Sequence, residues 1–166
     1  MNSVPNIDER LQFFRTCDPN ELSQLILTVI TDGRLPKEFL DGLNEEDRTI
    51  CYRACMICWS VTGGVCVPRE MQLRVILADR HGLDALVASG TGSGKTLPMA
   101  LTMLLDDPAE HRITITISPL KRLQATQESD FNTRFGIRTV VINDDTPSEN
   151  SWWDVSCEFQ FTARLF

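Results

Sequence analysis

The sequence predicts an α/β chain. An all-α block over residues 1–66 is followed by alternating strands and helices over 67–166, which imply a parallel sheet around a phosphate-binding loop. Three observations carry this. Apolar residues of the first block recur at helical spacing, β-branched runs alternate with helical ones from residue 67, and residues 89–96 read Ser-Gly-Thr-Gly-Ser-Gly-Lys-Thr.

In the first block, Leu11, Phe13 and Phe14 mark a helix. The next opens at Asp18-Pro19-Asn20-Glu21, where an N-cap residue, a proline and an acid favour a helix start. It carries Leu22, Leu25, Ile26, Val29 and Ile30 as one stripe, and Gly33 ends it. A further helix opens at Asn44 and runs to Val61, where Gly63-Gly64 breaks the pattern. Cys51, Cys55 and Cys58 fall at i, i+4, i+7 beside Met56 and Ile57, the spacing of a buried face. The paired knuckle spacing of a structural zinc site is missing.

In the second part, a helix spans 70–80, a strand 85–88, the loop 89–96 and a helix 97–105. A strand at 113–117, a helix from about 120 to 132, a strand at 139–142 and a polar turn at 143–147 follow. Strand, glycine-rich turn and helix form the context that a phosphate-binding loop requires. Gly90, Gly92 and Gly94 permit φ > 0, so successive N–H groups can converge on an anion beside the positive end of a helix. Lys95 is placed to reach nucleotide phosphates, and the Thr96 hydroxyl to coordinate Mg²⁺.

Net charge is −7 and unevenly spread: residues 1–66 carry −4, 67–128 are neutral and 129–166 carry −3. This balance excludes a strongly basic, dedicated nucleic-acid module but not an enzyme that touches a few phosphates. No run has the apolar length of a membrane span, and residues 1–10 lack a signal-peptide pattern. An intracellular protein is expected, nuclear before cytoplasmic.

Arg69 and Gln72, three residues apart, precede the loop, and Ser118-Pro119-Leu120 with Leu123 and Gln127 follow it. With these motifs in this order the chain resembles the first RecA-like domain of superfamily 2 DEAD/DEAH-box helicases, and most closely the RecQ-like branch. The resemblance covers roughly residues 67–145. It implies an adenine site at Arg69 and Gln72, whose amide can both donate to and accept from the base edge. It also implies phosphate binding at Thr91, Gly92, Ser93, Gly94, Lys95 and Thr96, with ATP and Mg²⁺ as cofactors. Ser118, Pro119, Leu120 and Lys121 are the implied contacts to the nucleic-acid backbone, with single-stranded or duplex DNA as partner.

The family's Asp-Glu-x-His motif, which holds Mg²⁺ and orients the attacking water, occurs nowhere in the chain. The second RecA-like domain is also missing. The resemblance therefore implies an incomplete, truncated RecA-like domain that binds nucleotide without hydrolysis or unwinding, its catalytic residues unknown. Trp152, Trp153, Phe159 and Phe161 are expected to have little to pack against. Two alternatives differ in class. One is a non-catalytic interaction protein that docks a protein partner through residues 1–66. The other is a different P-loop NTPase, which would need Asp144 or Asp145 as its metal ligand.

Overall fold

The computed structural model describes residues 6–31 and 33–145, and the backbone of 163–165. The chain divides into two compact units, Met1–Leu105 and Asp106–Phe166.

The first unit is helical: α1 (Ile7–Thr16), α2 (Pro19–Val29), α3 (Lys37–Asp41), α4 (Glu45–Val61), α5 (Glu70–Arg80) and α6 (Thr96–Leu105). Local chemistry sets these starts. The Asp18 side chain accepts from the N–H groups of Asn20 (2.8 Å) and Glu21 (3.4 Å), and Pro19 has no N–H to satisfy. At α4, Asn44 Oδ1 accepts from Asp47 N at 2.8 Å, and Glu45, Glu46 and Asp47 face the positive helix end. The short α3 is an element that the hydrophobic pattern does not reveal.

α4 is the centre of the unit and contacts α1, α2, α3, α5 and α6. Its Cys51, Ala54, Cys55, Met56, Ile57 and Cys58 are all buried, as the i, i+4, i+7 spacing requires. Leu73 and Ile76 of α5 and Ala100 and Leu101 of α6 complete this core. Packing therefore runs without a break from the N-terminal helices, through residue 66, into the helix that follows the glycine-rich loop.

Two arginines fix that last helix. Arg15 Nε donates to Leu104 O (2.8 Å) and an Arg80 guanidinium nitrogen donates to Thr102 O (2.9 Å). Both meet the negative end of α6, where helix carbonyls lack intrahelical partners.

The second unit has a short 3-10 turn at Pro108–Glu110, β1 (Ile113–Ile115), α7 (Lys121–Arg134) and β2 (Ala163–Leu165). β1 and β2 pair in parallel, with Ile113 opposite Ala163 and Ile115 opposite Leu165. The expected parallel sheet goes no further among the described residues, and this corrects the prediction. Residues 85–88 and 139–142 form no strand ladder. Leu86 is 99% exposed, so no second layer covers the first of these segments. A parallel strand gains stability only from neighbours brought in by crossovers, and apolar content alone cannot supply them.

The 139–145 segment has found other partners. Asn132 exchanges two hydrogen bonds with the Thr139 backbone (3.0 and 3.1 Å), and Glu128 Oε1 accepts from Val141 N at 3.2 Å. Asn143 Nδ2 donates to Gln124 Oε1 at 3.0 Å, and Lys121 Nζ meets Asp145 at 2.7 Å. Each step of two residues along the segment thus answers a step of three or four along α7. The spacings match, since about 6.6 Å of extended chain spans about 6 Å of helix. Helix side chains here do the work of a neighbouring strand. Phe131 and Phe135, whose ring centroids lie 6.3 Å apart, are buried. Trp152, Trp153, Phe159 and Phe161, and the end of the 143–147 turn, lie outside the described residues.

Candidate nucleotide site

The glycine-rich loop joins residues 85–88 to α6. Gly92 and Gly94 both adopt φ +78°, the left-handed region. The loop's own backbone bonds are Ser93 N to Gly90 O (3.4 Å) and Leu97 N to Gly94 O (3.1 Å). Among the described residues, the N–H groups of Gly92, Gly94 and Lys95 donate to no protein acceptor. A row of free donors beside a helix N-terminus is the arrangement that binds phosphate oxygens.

Lys95 is turned inward over the loop. Its Nζ donates to Ser89 O and to Gly90 O, each at 2.9 Å. The Ser89 and Ser93 hydroxyls meet across the loop at 2.7 Å. Thr96 is the first residue of α6, and Thr91 is exposed at the loop tip.

Gln72 is only 4% exposed and ties α5 to the loop. Its Oε1 accepts from Arg69 N at 2.8 Å, and its Nε2 donates to Gly94 O at 2.9 Å. The contact is close: a Cβ on Gly94 would lie 2.6 Å from Gln72 Nε2. The Arg69 side chain is exposed. Thus the structure brings Arg69, Gln72 and residues 93–96 together in one unit, as their spacing suggested. The direct bond from Gln72 to the loop backbone could not be read from the sequence.

Within the second unit, residues 118–121 lead into α7. The Ser118 carbonyl accepts from Gln124 Nε2 at 2.7 Å, while the Ser118 hydroxyl is buried without a partner. The N-cap Leu120 makes no side-chain cap, and the first turn of α7 holds no acid. Lys121 pairs with Asp145 at 2.7 Å and lies 3.9 Å from Asp144. These two aspartates, considered above as metal ligands, are therefore engaged by a lysine. Sequence reading missed this pairing because the partners lie 24 positions apart with no periodic signal.

Burial raises the α4 thiols. Cys51 is pushed up to about 12 by burial and by the negative charge of Asp47, and Cys55 is raised by burial and its neighbouring thiols. No group of three or more His, Cys, Asp or Glu residues poised for a metal occurs among the described residues. Nor is any helix among them long and apolar enough to cross a membrane.

The left-handed glycines, the free N–H groups and the lysine have the form of a P-loop, the phosphate-binding element of nucleotide-binding proteins. The DEAD/DEAH box helicase family model matches residues 69–158, more than half of the 166-residue chain. The chain belongs to the DEAD/DEAH box helicase family, whose domain binds ATP and nucleic acid. The match begins at Arg69, the residue that opens α5 beside the loop. No curated protein and no solved structure matches the chain.

Proposed function

We propose that this chain is the adenine-nucleotide-binding portion of a RecQ-like DNA helicase. In this reading the 166-residue polypeptide binds ATP with Mg²⁺ and does not split it. Residues 67–166 belong to the RecA-like ATP-binding domain, and 1–66 form its helical N-terminal region. The observation that carries the reading is the loop itself: free N–H groups at Gly92, Gly94 and Lys95, backed by Gln72.

The residues fit the ligand. The Gly92–Thr96 backbone and the Lys95 ammonium supply donors and positive charge for phosphate oxygens, and the Thr96 hydroxyl supplies an oxygen for Mg²⁺. Bound Mg²⁺ would neutralise charge on the terminal phosphates. Lys95 must first exchange the Ser89 and Gly90 carbonyls for phosphate, a favourable trade because charge-assisted bonds to anions are the stronger kind. The exposed Arg69 and the Gln72 amide would hold the base, the amide giving up its bonds to Arg69 N and Gly94 O to do so. Ser118, Pro119, Leu120 and Lys121 bind the backbone of a DNA strand. Hydrolysis needs an acid on the metal and a group that orients water. The sequence holds no Asp-Glu-x-His motif, and Asp144 and Asp145 are turned to Lys121.

A titration with a fluorescent ATP analogue tests this. Binding should depend on Mg²⁺, prefer adenine over guanine, and weaken roughly 10- to 100-fold in Lys95→Ala, the worth of a lost charged hydrogen bond. Undiminished binding by Lys95→Ala would overturn the site. Phosphate release that disappears in that variant would overturn the claim of no hydrolysis.

A further inference from the structure

The ladder between α7 and residues 139–145 ends on the residues read as nucleic-acid contacts. Its last rung is the pair between Lys121 Nζ and Asp145, with Asp144 also close at 3.9 Å. A chain of hydrogen bonds supports that rung. Asn143 Oδ1 accepts from Asp145 N at 2.9 Å and so orients the acidic turn. The same Asn143 donates to Gln124, and Gln124 donates to the carbonyl of Ser118. Gln124 stands one helical turn after Lys121, so these bonds and the ion pair hold the same stretch of α7.

We propose that the Asp144–Asp145 turn is an autoinhibitory mimic of nucleic-acid phosphate. It holds two carboxylates where the strand backbone binds at the start of α7, and a strand must displace it to reach Lys121. This inference rests on the reading of Ser118–Lys121 as a strand contact and adds its regulation. Three features fit a displaceable occupant. Both aspartates are largely exposed, at 97% and 75% of their side-chain surface, so release needs no unpacking of a core. The first turn of α7 has no acid of its own, so no helix carboxylate competes with the turn for Lys121. The Ser118 carbonyl is tied through Gln124 and Asn143 to the turn, so the strand-contact segment and its occupant share one hydrogen-bonded chain.

The occupant also leaves a signature in salt. Salt screens the exposed pair between Lys121 and the aspartates as well as the pair between Lys121 and the strand, so the two effects partly offset each other in the unmodified chain. Without the aspartates only the second effect remains, so the double exchange should steepen the slope of log affinity against log salt, by less than the roughly 0.7 that one lysine contact to a single strand contributes.

Fluorescence anisotropy of the full 166-residue chain with a labelled oligothymidylate, at several KCl concentrations, tests this. Asp144→Asn/Asp145→Asn should bind roughly three- to tenfold more tightly at low salt, with the steeper slope. Lys121→Ala should bind more weakly than the unmodified chain, and the gain from the double exchange should vanish in its background. If Lys121→Ala weakens binding but the double exchange changes neither affinity nor slope, the strand contact stands and the mimicry is overturned. A gain that persists without Lys121 is general charge repulsion and overturns the mimicry too. If Lys121→Ala binds like the unmodified chain, or no protein binds, the strand contact itself is overturned. Circular dichroism of each variant checks that α7 persists. These asparagines keep the shape of the aspartates and sit in solvent, so the fold should tolerate them.

Discussion

The helices of residues 6–105 and the mixed segment 106–145 have similar apolar residues and opposite fates. In the first, Leu22, Ile26, Ile57, Leu73, Ile76 and Leu101 have no exposed surface. In the second, Ile113, Ile115, Ile117, Val140 and Ile142 are all exposed, and the buried apolar residues are Phe131 and Phe135. A helix satisfies its backbone by itself and needs only one covered stripe. A parallel strand leaves two rows of backbone groups and two faces that other segments must complete. The same aliphatic content thus builds a core in one region and an uncovered surface in the other.

The strongest test of this difference is truncation inside the helical region. Leu101→Ala removes a fully buried side chain where α6 meets its neighbours and should cost about 2–5 kcal/mol in chemical denaturation. A cost below about 1 kcal/mol would mean that the P-loop helix is not held by this core.

Alkaline titration probes the same core through charge. The Cys51 thiol has a folded pKa of about 12 against an ordinary value of 9.0, so the folded chain retains the proton over that interval. Stability from this group is full below about pH 9 and is lost progressively as pH rises towards about 12. Cys51→Ala should flatten this part of the stability curve, measured by urea midpoints at stepped pH. Cys55, raised in the same direction, leaves a residual slope.

The junction between helical scaffold and loop should give an intermediate effect. Gly94→Ala forces a side chain into a left-handed backbone, at roughly 1–2 kcal/mol. It also displaces Gln72 Nε2, which would stand 2.6 Å from the new Cβ. Gly90→Ala, with nothing within 4 Å of its Cβ, is the control and should cost far less. Thermal midpoints of Gly94→Ala with and without Gln72→Ala would show whether the two losses are coupled. Strict additivity would mean that the close approach carries no energy.

What could be read from the sequence follows the same division. The α2 start at Asp18-Pro19 and the α4 cysteine face depend on neighbours a few positions away and match the structure, and of the three loop glycines read as free for positive φ, Gly92 and Gly94 adopt it while Gly90 does not. Strands at 85–88 and 139–142 were expected because their apolar runs look like strands, but such a run does not specify what pairs with it. The rungs from α7 to residues 139–145 also escaped the sequence. They join Asn, Glu, Gln and Lys to partners 7 to 24 positions away, and those residue types fit a solvated helix face equally well. At the nucleotide site, the order of Arg69, Gln72 and Lys95 marked the place. The inward turn of Lys95 depends on loop carbonyls that no residue type announces.

The smallest expected effect on stability lies at the uncovered surface. Ile117 is 72% and Ile142 58% exposed, so little apolar area leaves water when they fold. Ile117→Ser and Ile142→Ser should each shift stability by no more than about 0.5 kcal/mol, the range of ordinary surface exchanges. Self-association should respond more than stability, because exposed aliphatics favour contact between chains. Sedimentation velocity over a concentration series should show less oligomer for the paired variant at an unchanged thermal midpoint. A fall in midpoint comparable to Leu101→Ala would show that these residues are packed in solution, and the contrast between the two regions would disappear.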